Sequence, residues 1–158
     1  MPLSWHQVRD EFDHDGSLRD IYVLNTTAAH WQRMFDWLRQ SAYAVEFRRA
    51  GVPAILPATF NEAMAIAKTE CALLSISLMS LNVHCHFFTP EEIELDVDPR
   101  EIAGQTDLEA LLAFMIGLSS ATGQDAILTP ENVSEIVIFR ARPDSSDVEW
   151  TPFAGSQR

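Results

Sequence analysis

Hydrophobic and polar positions change period several times along the chain, and each period predicts an element. Ser4-Trp5-His6-Gln7 has the serine-to-glutamine spacing of a capping box, and Trp5, Val8 and Phe12 follow at helical spacing, so a short first helix is expected. Asp13-His14-Asp15-Gly16 reads as a turn, and Ile21-Tyr22-Val23-Leu24 as a buried strand. Thr26 or Thr27 is a suitable cap for a second helix in which Trp31, Phe35 and Leu38 form an apolar stripe. Tyr43, Val45 and Phe47 alternate with Ala44, Glu46 and Arg48, the period of a half-buried strand that Gly51 and Pro53 stop. Thr59 to Glu62 repeats the capping-box spacing ahead of a helix from Phe60 to about Lys68.

From Cys71 to Phe88 the pattern is that of β structure, but its phase changes. Leu74, Ile76 and Leu78 place the core side on even positions; Leu81, Val83, Cys85 and Phe87 place it on odd ones. One regular strand cannot switch phase and keep one face buried, so a bulge or a junction of two strands is expected at Met79-Ser80. Ile93, Leu95 and Val97 alternate with Glu94, Asp96 and Asp98 in a further amphipathic strand ended by Pro99. Thr106-Asp107-Leu108-Glu109 has capping-box spacing before a nearly all-apolar helix, for which Gly123 is the expected C-terminal cap. Ala126 to Leu128 and Glu135 to Phe139 read as strands.

These elements predict an α+β fold: one antiparallel or mixed sheet of about five to six strands, with three to four helices packed mainly on one face. Residues 1–142 are expected to form a single domain. Residues 143–158 are expected to be a polar, loosely ordered tail, with Trp150 available to pin it.

Composition narrows the function classes. With 158 residues and 47% apolar side chains, the chain has ample core for one domain. Eleven basic against 23 acidic residues give a net charge of −12, a field that repels phosphate backbones and anionic lipid, so neither nucleic acid nor membrane is an expected partner. No apolar run approaches the about 18 residues of a spanning helix. Residues 1–6 lack the basic and long apolar regions of a signal peptide, and Cys71 and Cys85 make no disulfide framework, so a cytoplasmic location is expected. Both cysteines sit in apolar segments and read as buried small hydrophobes. There is no phosphate-binding glycine loop, nucleophile elbow or H-E-x-x-H.

Two groups of residues remain. His84 and His86 are two apart, so a strand puts both imidazoles on one face and Cys85 on the other. One antiparallel register sets His86 opposite Glu94 and His84 opposite Asp96; with such carboxylates the pair is a candidate site for zinc or a similar divalent metal, or a pH-responsive patch. Glu91, Glu92, Glu94, Asp96 and Asp98 place five carboxylates in eight residues, a candidate docking surface for a basic protein. The leading expectation is a non-enzymatic, cofactor-free protein-binding module, such as an inhibitor or immunity-type factor. A metal-binding protein or metal-dependent enzyme centred on His84 and His86, and a homo-oligomeric structural subunit, are the alternatives.

Overall fold

A computed structural model describes residues 2–154. The fold is α+β, with four helices and one sheet. In chain order the elements are α1 (Trp5–Val8), β1 (Arg19–Leu24), α2 (Ala28–Gln40), β2 (Ala44–Arg49), β3 (Val52–Ala54), α3 (Phe60–Ala67), β4 (Ala72–Leu78), β5 (Leu81–His86), β6 (Glu92–Val97), α4 (Gln105–Thr122), β7 (Ala126–Pro130), β8 (Phe139–Ala141) and β9 (Val148–Trp150). Short 3-10 turns span Arg9–Phe12 and Pro99–Glu101.

The sheet has nine strands rather than five or six, in the order β3-β2-β4-β5-β6-β1-β7-β8-β9, and every neighbouring pair is antiparallel. The extra strands are β3, β8 and β9, each of three residues. Three residues are too few to display a period of two, which is why alternation does not reveal them. Glu135 to Phe139, expected as a strand, is irregular until β8 begins at Phe139: Val133 and Ile136 donate to Pro130 and Val133 carbonyls in successive turns. Residues 148–150, in the segment expected as a loose tail, form the edge strand β9. Buried Glu11 fastens that segment by accepting from Trp150 Nε1, Phe153 N and Ala154 N at 2.8–2.9 Å.

The phase break at Met79-Ser80 is a two-residue hairpin. Leu78 pairs with Leu81, and Met79 sits at φ +61° between β4 and β5. The hairpin from β2 to β3 is equally tight, with Ala50 and Gly51 both at positive φ. Pro53 in edge strand β3 removes a backbone donor and so blunts that edge against further pairing.

All the principal helices lie against one face. On that side a continuous apolar row crosses the sheet: Phe47, Leu74, Cys85, Leu95, Ile21, Leu128 and Phe139 are successive cross-strand partners, and all are buried. Trp31 stacks on Phe60 and Phe87 with ring centroids 4.6 and 5.5 Å apart, joining α2 to α3 and the sheet. α2 meets α4 where Trp37 lies over Gly117; a β-carbon on Gly117 would fall 2.5 Å from the indole, so any larger residue there requires the indole or a helix to move. α4 starts two residues before the expected capping box, with Gly104 as its N-cap, while Asp107 accepts from the Ala103 amide. Gly123, at φ +76°, closes its C-terminus as expected. Among the described residues, no helix is long and apolar enough to cross a membrane.

Candidate functional site on the open sheet face

The pleat that turns Val83, Cys85, Leu95 and Ile21 toward the helices turns their neighbours the other way. That second face carries the polar half of each amphipathic strand, and two rows of cross-strand partners run over it. One is Thr129, Asp20, Asp96, His84, Ser75 and Glu46; the other is Ile127, Tyr22, Glu94, His86, Leu73 and Arg48. His84 therefore lies opposite Asp96 and His86 opposite Glu94, the register considered from the sequence.

The hydrogen bonds run partly along the diagonals. His86 Nε2 meets Asp96 Oδ2 at 2.5 Å rather than its direct partner Glu94. The Tyr22 hydroxyl bridges Glu94 Oε1 at 2.8 Å and Asp20 Oδ2 at 3.2 Å. His84 Nδ1 is 3.0 Å from Ser75 Oγ. Phe88, 66% exposed, stacks on the His86 ring with centroids 5.3 Å apart and planes nearly parallel.

These contacts set the protonation behaviour. The hydrogen bond that His86 donates to Asp96 raises the His86 pKa above its ordinary value, against the opposing effect of burial. Burial raises the Asp20 pKa, with Glu94 and Asp96 adding to the shift, while bonds from the Asn132 amide and Tyr22 oppose it. Glu92 is raised by burial and by Glu94, and the Tyr22 hydroxyl is raised by burial and its bond to Glu94. Among the described residues, arginines form ion pairs with Asp15, Asp36, Glu46, Glu70, Asp98, Asp125 and Glu149, and none pairs with Asp20, Glu92, Glu94 or Asp96. Among the described residues, the ion pair offsetting these central carboxylates is His86 with Asp96.

The five acids singled out in the sequence separate. Glu92, Glu94 and Asp96 share the open face of β6. Glu91 lies in the preceding turn, bonded by the Thr89 hydroxyl. Asp98 caps the next 3-10 turn and binds the Arg100 guanidinium, whose hydrogen bonds hold its pKa near 2. Periodicity does not single out Asp20, Tyr22, Ser75 or Phe88 as members of the same surface. The available signal was a charged residue, Asp20, directly before the Ile21 to Leu24 run read as a buried strand.

The arrangement restricts the chemistry. Among the described residues, no three His, Cys, Asp or Glu side chains converge to hold a metal ion, so the expectation that His84 and His86 bind zinc lacks a completing ligand. The Ser75–His84 contact has the separation used in nucleophilic catalysis. Ser75 lies mid-strand, however, with its strand laddered to β2 on one side and β5 on the other, so the surrounding amides are committed to the sheet rather than to an oxyanion. Cys85 is fully buried and burial pushes its thiol pKa up, which suppresses the reactive thiolate. Cys71, expected to be buried, is exposed just before β4 begins. The arrangement is suited to binding a cationic group: carboxylates gathered at half-buried positions beside an exposed aromatic ring. Comparison of the chain with known protein families, curated proteins and solved structures finds no match.

Proposed function

We propose that this protein is a non-enzymatic binding module that docks a basic segment of a partner protein on the open face of its sheet. Glu92, Glu94 and Asp96 are the contacting carboxylates in this reading, and Phe88 on His86 is the adjoining aromatic surface. The carrying observation is that, among the described residues, no arginine neutralises these acids, on a face that the helices leave uncovered. Elsewhere the same chain places arginine beside acid repeatedly. An inhibitor or immunity-type role, with a basic enzyme as partner, is the form of this function that fits a small acidic domain. Such a surface accelerates encounter and is weakened by screening salt.

The test is affinity capture from the native host at low salt, using the full chain and a Glu92→Gln/Glu94→Gln variant. The expected result is a basic protein that binds the wild type, leaves on addition of salt and is lost by the variant, while an Asp144→Asn control retains it. A partner retained equally by the double variant, or the absence of any salt-sensitive partner, would remove the proposal. Light scattering on the same samples reveals a second copy of the chain as the occupant instead.

A further inference from the structure

The open face is not open across its whole width. Asp20, Tyr22, Ile127 and Thr129 point away from the helices, yet none is more than 5% exposed. Residues 131–138, which leave β7 and return at β8, border this region on the outer side: Asn132 reaches Asp20, and Ser134, Glu135 and Val137 share a cleft with Ile127. The segment is tied down at its two ends, and buried Ile138 also accepts from the Thr151 amide. Asn132, at φ +62°, donates its amide to Asp20 Oδ2 at 2.7 Å, Glu131 Oε1 accepts from the Leu18 amide at 2.5 Å, and Ile138 N rejoins the ladder at the Leu128 carbonyl. Ser134, Glu135 and Val137 of this segment, with Leu24, Ile127 and Arg140, line a cleft of about 440 Å³, so part of the segment does not seat closely on the strands.

What lies beneath the segment is electrostatically unfavourable when ionised. Asp20 is opposite Asp96 in the register and shares the Tyr22 hydroxyl with Glu94. The charged or titratable groups around it are Tyr22 on its own strand, Glu94 and Asp96 on β6, His84 and His86 on β5, and Glu131 and Glu135 on the covering segment; β7 contributes only Thr129. Of these, His86 alone offsets an acid, and it is bonded to Asp96. A carboxylate that is 4% exposed beside two acidic neighbours favours its neutral form, although the Asn132 amide and the Tyr22 hydroxyl pull the other way.

We propose that residues 131–138 are a strap whose closure over β1 and β7 is linked to neutralisation of Asp20 by a proton. Opening returns the Asp20 carboxylate to water, where its proton affinity is ordinary; closure raises that affinity. The closed strap is therefore favoured at low pH and loosens as pH rises through the raised value of the closed state. Deprotonation of His86 removes the offsetting charge and acts in the same direction. The consequence is a face whose width depends on charge: with the strap released, Asp20, Tyr22, Ile127 and Thr129 join the surface formed by β6 and β5.

Amide hydrogen exchange of the full chain tests it, with residues 132–138 followed from about pH 4 to about pH 7.5, corrected for intrinsic rates and referenced to β4 and β5 amides. In the wild type, strap protection should fall by a factor of about three or more as pH rises. In Asp20→Asn it should stay at the wild-type low-pH level throughout, and Glu131→Gln should keep the wild-type trend. Protection independent of pH in the wild type, or an unchanged trend in Asp20→Asn, would overturn the proposal. Glu94→Gln provides a second check should Asp20→Asn fail to fold: it should move the midpoint to lower pH, and an unmoved midpoint counts against the strap.

Discussion

The two faces of the sheet are built from the same strands and obey opposite rules. Toward the helices, Leu95 lies between Cys85 and Ile21 in the apolar row and is fully buried; one residue earlier on β6, Glu94 faces outward and shares a hydroxyl with a second acid. The helix side is arranged so that every side chain gains from burial. The open side holds Asp20, Glu94 and Asp96 together although folding would be easier without them. Residues that stability does not explain are where function is sought, and the contrast can be sharpened by substitution.

The largest effect is expected from Leu95→Ala, which opens a cavity in the middle of the apolar row and should cost about 2–5 kcal/mol, read from denaturant unfolding. Its neighbour Glu94→Gln should change stability by no more than roughly 1 kcal/mol. If the two costs are alike, the division of labour between faces fails. Gly117→Ala comes next: alanine is the better helix former by about 1 kcal/mol, but its methyl would meet the Trp37 indole at 2.5 Å, so a net loss of about 1–3 kcal/mol is expected. A gain would show that α2 and α4 yield easily.

Asp20→Asn should act in the opposite sense. Because the folded-state pKa of Asp20 is raised, its contribution to stability is present below the ordinary carboxylate value and is lost as pH rises through the raised one. Replacement by asparagine should therefore stabilise the fold near neutral pH and do little in acid, which unfolding midpoints at two pH values will show. The smallest effect concerns His86. Its raised pKa means that the His86–Asp96 bond stabilises the fold below the ordinary histidine value and loses that effect as pH rises through the raised one. An NMR titration of the imidazole in Asp96→Asn should show the pKa fall relative to wild type. An unchanged value would mean that Asp96 does not control it.

Local pattern made much of this architecture legible. The alternation in β5 and β6 sorted His84, His86, Glu94 and Asp96 onto one face and Cys85 and Leu95 onto the other, because period two acts residue by residue. The phase switch at Met79-Ser80 located the hairpin for the same reason. Glu91 and Asp98 looked equivalent to their neighbours because charge alone carries no direction; a turn and an arginine two residues on removed them from the surface. β3, β8 and β9 were hidden by their length, and residues 135–138 looked like a strand because an apolar run has the same composition whether it joins a ladder or crosses a sheet.

What the sequence alone determined is which side of each long strand is apolar, where the main helices lie, and that a row of acids faces away from the core. Only the tertiary structure decided that β1 inserts between β6 and β7. This placement brings Asp20 and Tyr22 beside Glu94, Asp96 and His86 across a separation of more than sixty residues. Strand order is settled by the packing of the whole sheet against its helices, a sum over distant contacts that no local period contains.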